Sequence, residues 1–266
     1  MTELLDALNW RTSIGRAMGL IALVAGVTLL VLVSGIALAQ SLGLPMPVVQ
    51  AGIWALWLTW LGTVFPRNRR HDQRTPCLHP YRRAFRREIL FGIAVAFSQL
   101  LRPAVIGLPT DERALPFGSS LAIGFPLLIT GLSLVVLGVA ALGIARTLFV
   151  HEYVRADRAV TTVGIFRVLR HPLFVGGSMA SLGLAICTGA TEAMELAALN
   201  VCVIPIYAQL EDRRCCAVLG PAYAEYRAAV GGTFPRRRIA IAQSALLTQI
   251  VGSRLPTGLR ALVKTQ

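Results

Sequence analysis

The chain has 266 residues, 55% of them hydrophobic and only 15% charged, with a mean hydropathy of +0.64. A soluble domain carries about 25% charged residues, so a soluble globule is excluded, and the lack of short alternating segments excludes a transmembrane barrel. The net charge of +13 does not indicate nucleic-acid binding, because the arginines cluster between apolar runs instead of interleaving with aromatics on one face.

Apolar runs of about 20 residues, long enough to cross the hydrocarbon as helices, recur along the chain. Ala17 to Ala39 is predicted as the first span and Met46 to Phe65 as the second. Ile89 to Leu101 continues toward Leu108 as a third, interrupted by Arg102 and Pro103. Pro116 to Leu148 is a fourth, tilted or kinked near Pro126. Leu173 to Cys187 and Ala193 to Leu210 form a short fifth and a sixth, joined at Gly189 as a helical hairpin. The fold expected is an all-α polytopic bundle of five to six spans, the fifth either spanning or re-entrant. Ala37-Leu38-Ala39 is similar to a signal-peptidase site, but the apolar stretch before it is longer than a signal h-region, so the first helix is read as uncleaved.

Loop charge sets the orientation. Pro66 to Glu88 holds eight arginines against two acids, and the stretches 146–170 and beyond Leu210 are again basic. Gln40 to Pro45 has no charge, and Thr110 to Leu115 has two acids and one arginine. Basic and non-basic loops alternate, which predicts both termini in the cytoplasm, with anionic membrane lipid touching the basic side. Ile239 to Leu262 suits a helix lying on the membrane surface or a disordered tail. Five cysteines are too few and scattered for a disulfide framework. His71, Cys77 and His79 lack paired ligand spacing, so no metal site is read there.

Two polar clusters stand where apolar helices meet the basic side. The first runs from Gly164 through Phe166, Arg170, His171, Pro172 and Phe174 to Gly176. Pro172 suits the first helical turn, which puts His171 at the cap and aims free backbone N–H groups and the positive dipole end at the loop. With Arg170 beside it, such a helix start suits a carboxylate or phosphate. The second cluster holds Glu211, Asp212, Arg213 and Arg214, then Gly220, Tyr223, Tyr226, Phe234 and Pro235. Its acids suit an ammonium group or sugar hydroxyls, so the two clusters together suit a zwitterion. Snorkelling arginines at a membrane boundary, with Glu211 paired to one of them, are the plainer reading of either cluster alone.

The order and spacing of these residues resemble the isoprenylcysteine carboxyl methyltransferase and phospholipid methyltransferase superfamily. Its signature runs from a Gly-Pro-Tyr-like lead into Arg-His-Pro-x-Tyr-x-Gly at a helix start, then a helical hairpin, Glu-Glu, Phe-Gly-x-x-Tyr-x-x-Tyr and a Pro-containing end. Arg170, His171, Pro172, Gly176, Glu211, Gly220, Tyr223 and Tyr226 match; Phe166 and Phe174 stand for tyrosines, Asp212 for the second acid and Leu219 for a phenylalanine. The resemblance covers 164–235 and implies a membrane-embedded, S-adenosylmethionine-dependent methyltransferase. It implies Arg170, His171 and Glu211 as catalytic residues. It further implies a cofactor site of Arg170, His171, Pro172, Phe174, Gly176, Glu211, Asp212, Tyr223 and Tyr226. The chain then divides into a transmembrane region at 1–148 on the acceptor side, a catalytic core at 149–238 and a tail at 239–266. The acceptor expected is lipophilic or small: a carboxylate, a thiol or a lipid head group. The expected location is a bacterial cytoplasmic membrane, with the site on its cytosolic face. A nicotinamide-dependent membrane reductase of sterol-reductase-like architecture is the alternative enzyme, and a membrane scaffold or transporter the non-enzymatic one.

Overall fold

A computed structural model describes residues 14–74, 80–107, 113–153 and 159–232. Cys77, His79, Phe234, Pro235 and the tail expected at 239–266 lie outside the described residues. Among the described residues the protein is an all-α bundle, and its bridges at Arg113–Ala190 and Leu169–Gly231 are isolated. Helix α1 is Ile14–Leu42, α2 Met46–Arg74 and α3 Pro80–Gly107. Helix α4 is Phe117–Leu142, followed by one-turn helices α5, Ile144–Thr147, and α6, Val150–Tyr153. Helix α7 is Pro172–Thr188, α8 Thr191–Leu219 and α9 Pro221–Ala229.

Helices α1, α2, α3, α4 and α8 are long and apolar enough to cross a membrane, which makes this an integral membrane protein. At 17 residues, α7 is shorter than the ~20 that cross the hydrocarbon. It nevertheless joins the same two ends: it starts at the basic end and finishes where Thr188 meets Gly107.

Several boundaries differ from those the apolar runs predict. The fourth span stops at Leu142 instead of Leu148, because Gly143 adopts φ 81° and turns the chain out of the helix. Arg102 and Pro103 do not interrupt α3; both lie inside it, buried. The sixth helix continues from Leu210 to Leu219, because nothing breaks it before Gly220 at φ 68°. Glu211 and Asp212 therefore sit within a helix, beyond the end predicted for the sixth span. The hairpin turn itself falls at Gly189, in the left-handed conformation. Pro126 lies inside α4, and Pro205 inside α8.

Two kinds of contact hold the bundle. Helices α4 and α7 meet through glycine: a Cβ on Gly131 would lie 2.4 Å from the Ala180 backbone nitrogen, and one on Gly183 would lie 2.4 Å from that of Leu128. In lipid, where burying apolar surface gives no advantage over contact with acyl chains, such close backbone approach is a main source of helix association. The second contact is a polar knot in the interior. Asn200 of α8 donates to the Gln99 carbonyl at 2.9 Å and to Ser181 at 3.0 Å; its carbonyl accepts from Gln50 at 2.9 Å and Trp54 at 2.8 Å. One side chain thus ties α2, α3, α7 and α8. Asn200→Leu keeps the volume but removes all four bonds, and should lower stability by roughly 2 kcal/mol, read by unfolding in mixed detergent micelles.

Candidate active site

The helix start at Pro172 forms as the residue pattern predicts. His171 is the N-cap residue, with φ −123° and ψ 53°, and Pro172 occupies the first turn. Just before it, the Arg170 backbone N–H donates to the Gly231 carbonyl at 2.9 Å. The Arg170 guanidinium donates to the carbonyls of Arg227 at 2.5 Å and Val230 at 2.8 Å. Arg170 therefore clamps the segment after α9 down over the helix start. A Cβ on Gly232 would meet its guanidinium at 2.9 Å.

Asp212 gathers the two clusters. One carboxylate oxygen accepts from His171 Nε2 at 3.0 Å and from the Tyr223 hydroxyl at 2.7 Å. The other accepts from Arg170 at 3.1 Å, with Arg227 at 3.6 Å. A carboxylate only accepts, so the His171 Nε2–H is the donor to Asp212. Burial, foremost, pushes the Tyr223 and Tyr226 hydroxyls above the ordinary tyrosine range. Both stay protonated donors, Tyr226 to the Phe166 carbonyl at 2.7 Å. With phenylalanine at 166, the backbone carbonyl makes this contact.

A cavity of about 290 Å³ opens at this point, near the lower end of the ~300–1,000 Å³ usual for ligand sites. Arg170, His171, Glu211, Tyr223 and Tyr226 line its polar end. From there an aromatic wall runs inward. His171 stacks on Phe174 at 5.4 Å, Phe174 on Tyr207 at 4.0 Å, and Tyr207 meets the edge of Trp57 at 4.5 Å. Phe97 and Leu100 of α3 and Val135 of α4 add apolar lining. The Trp57 indole donates to the Gly92 carbonyl at 2.9 Å. At Gly92 any side chain would collide with the ring of Trp60, which opens a π turn in α2, a distortion common near functional sites.

Not every residue implied by the resemblance reaches this cavity. Arg170, His171, Phe174, Glu211, Tyr223 and Tyr226 line it; Asp212 sits behind them. Pro172 and Gly176 turn to α4: a Cβ on Gly176 would lie 2.6 Å from the Gly131 carbonyl, and Pro172 packs near Gly138. Gly177, one residue on, does line the cavity. Glu211 pairs with Arg214, which is neither Arg170 nor Arg213. Among the cavity residues absent from the motif, Tyr207 had a usable signal. It precedes Glu211 by four residues, hence lies on the same helix face. Trp57 had none, because its approach to Tyr207 depends on how α2 packs on α8.

Residues 119–216 match the family model for phospholipid methyltransferases. No curated protein and no solved structure matches the chain. The matched segment begins in α4, takes in the helix start and the acids of α8, and stops before Tyr223 and Tyr226. Proteins of this family are membrane methyltransferases. Over residues 119–216 the chain is similar to the phospholipid methyltransferase family.

Proposed function

We propose that this protein moves a methyl group from S-adenosylmethionine to a lipophilic or small acceptor that enters the cavity from the bilayer. The observation that carries the reading is one cavity lined both by polar groups, among them Arg170, His171 and Glu211, and by apolar ones, among them Phe97, Leu100 and Val135. The residues present fit such a cofactor. Glu211 lines the cavity as a carboxylate paired through Oε2, and the buried Arg170 Nε has no partner among the described residues. Glu211 would take the cofactor's ammonium group or ribose hydroxyls, and Arg170 with the backbone N–H groups of α7 its carboxylate. When bound, the sulfonium supplies an electrophilic methyl group whose transfer discharges the positive charge.

The chain's own contribution is positioning and exclusion of water. His171, Phe174 and Tyr207 wall the region next to the polar end, and the α3 and α4 side admits an apolar acceptor. A carboxylate or thiolate acceptor needs no base. For an amine or alcohol, His171 Nδ1 would take the proton, with Asp212 steadying the ring. We place the site on the cytosolic face of a bacterial membrane, because the arginine-rich loops lie at this end of the bundle.

The test is titration of the purified full-length protein with S-adenosylmethionine and, separately, with reduced nicotinamide dinucleotides. Binding of the second without the first overturns this reading in favour of a reductase. Glu211→Ala should weaken cofactor binding roughly 10- to 100-fold, the worth of a charge-assisted hydrogen bond, with expression unchanged.

A further inference from the structure

From Glu211 inward, four charged side chains alternate in sign across three helices. Arg69 of α2 pairs with Glu152 of α6 at 2.5 Å, and Glu152 also forms an ion pair with Arg214 of α8, its carboxylate 2.9 Å from Nε. Arg214 Nη2 in turn pairs with Glu211 Oε2. Arg69, Glu152 and Arg214 are 5%, 1% and 5% exposed, and withdrawing each such charge from water costs several kcal/mol. Arg69, Glu152 and Arg214 lie outside the motif, and Glu152 lies about sixty residues from Glu211 in the chain.

The segment that carries Glu152 is built for this contact. Phe149 holds φ 64°, a left-handed conformation that is unfavourable for a bulky residue and persists where the surroundings impose it. Its ring lies 4.4 Å from the Arg214 guanidinium carbon, and the ring of Phe65 lies 5.2 Å from it. Phe149 also lines the cavity. The Gln73 amide donates to the Glu152 carbonyl at 2.7 Å, anchoring the same turn to α2. Two separate features, a buried carboxylate and a strained aromatic, thus converge on one guanidinium.

We propose that Glu152 is a positioning residue for the cavity, acting on Glu211 through Arg214. Glu152 neutralises part of the Arg214 charge. Arg214 then holds Glu211 by Oε2, and Oε1 stays on the side of Cys215, whose Sγ lies 3.7 Å away and which lines the cavity. Without the Glu152 charge, Arg214 draws both oxygens of Glu211 to itself and competes with any ligand for them. The proposal rests on the reading of the cavity as the cofactor site, so its test includes a readout that needs no cofactor.

Full-length wild type, Glu152→Gln, Glu152→Asp and Arg69→Gln are compared in detergent. One readout is the dissociation constant for S-adenosylmethionine. The other is the rate of Cys215 alkylation by N-ethylmaleimide, read by peptide mass spectrometry. Glu152→Gln should weaken cofactor binding about tenfold, within the roughly 2- to 30-fold of couplings carried by a neighbour. It should also speed Cys215 alkylation, because a less neutralised Arg214 stabilises the reacting thiolate. Glu152→Asp should restore part of both. Arg69→Gln removes the far partner of Glu152 and leaves the Glu152–Arg214 pair, so both readouts should stay within about twofold of wild type. Equal changes in Glu152→Gln and Arg69→Gln would show that the row only supports the fold, and would overturn the proposal. If Glu152→Gln does not fold, Glu152→Asp against Arg69→Gln carries the same comparison. If wild type binds no S-adenosylmethionine, the cofactor reading fails by itself, and Cys215 alkylation still decides whether Glu152 sets Glu211.

Discussion

Asp212→Ala should abolish cofactor binding and reduce methyl transfer by at least about 100-fold, a larger effect than any other single change at the site. Asp212 accepts from His171, Tyr223 and Arg170 at 3.0, 2.7 and 3.1 Å. Its side chain and those of Arg170 and His171 are 5%, 11% and 4% exposed. Removing one partner of a buried charged pair costs roughly 3–5 kcal/mol, mostly because the other charge is left unpaired. Three further consequences follow from the geometry. The His171 ring loses the contact that fixes its tautomer, Tyr223 loses its acceptor, and Arg170 loses its link from the α7 start to α8. Asp212→Asn keeps an acceptor oxygen and should retain the fold while losing most of the binding. Cofactor titration paired with detergent unfolding separates these outcomes, and wild-type binding in Asp212→Ala would remove Asp212 from the site.

Gly131→Leu should produce the largest loss of stability in the membrane region, at least about 3 kcal/mol. The clash falls on backbone, since a Cβ at 131 would lie 2.4 Å from the Ala180 nitrogen and 2.6 Å from the Gly176 carbonyl. A side chain can rotate away from a neighbour, but a helix backbone cannot, so α4 and α7 must separate along their length. Because α7 carries His171 and Pro172 at its start, the same substitution should also disorder the polar end of the cavity and depress binding. Gly26→Leu on α1 is the control: nothing lies within 4 Å of a Cβ there, and stability should be unchanged. Equal stability of the two variants would show that α4 and α7 do not pack through glycine.

The cavity draws its walls from distant parts of the chain, which bears on how acceptor choice is divided. Trp57, Phe97 and Leu100 come from the first 148 residues, and His171, Phe174, Tyr207 and Glu211 from the rest. The polar end lies within or next to the family match, whereas Trp57, Phe97 and Leu100 lie outside residues 119–216. We propose that the region before residue 149 selects the acceptor. Substitutions at Phe97 or Leu100 should then change which acceptor is used while leaving cofactor affinity in place.

The sequence alone determined the features that depend on local chemistry. Apolar length and loop charge marked the long helices, Gly189 marked the hairpin turn, and His171-Pro172 marked a helix start next to Arg170. These could be read because helix formation, capping and left-handed turns are decided within a few residues. The order Arg170, His171, Glu211, Tyr223 then brought in the family resemblance. Tertiary structure decided the rest. It alone turned Gly176 toward α4 while Phe174 and Gly177 face the cavity, because both faces of α7 are apolar and carry no polar signal to tell them apart. Asp212 joined Arg170 and His171 across about forty residues, and Glu152 reached Arg214 from another helix. The physical reason is the same in each case: a buried ion pair or a glycine contact is specified by its partner's position, and that position exists only once the helices have packed.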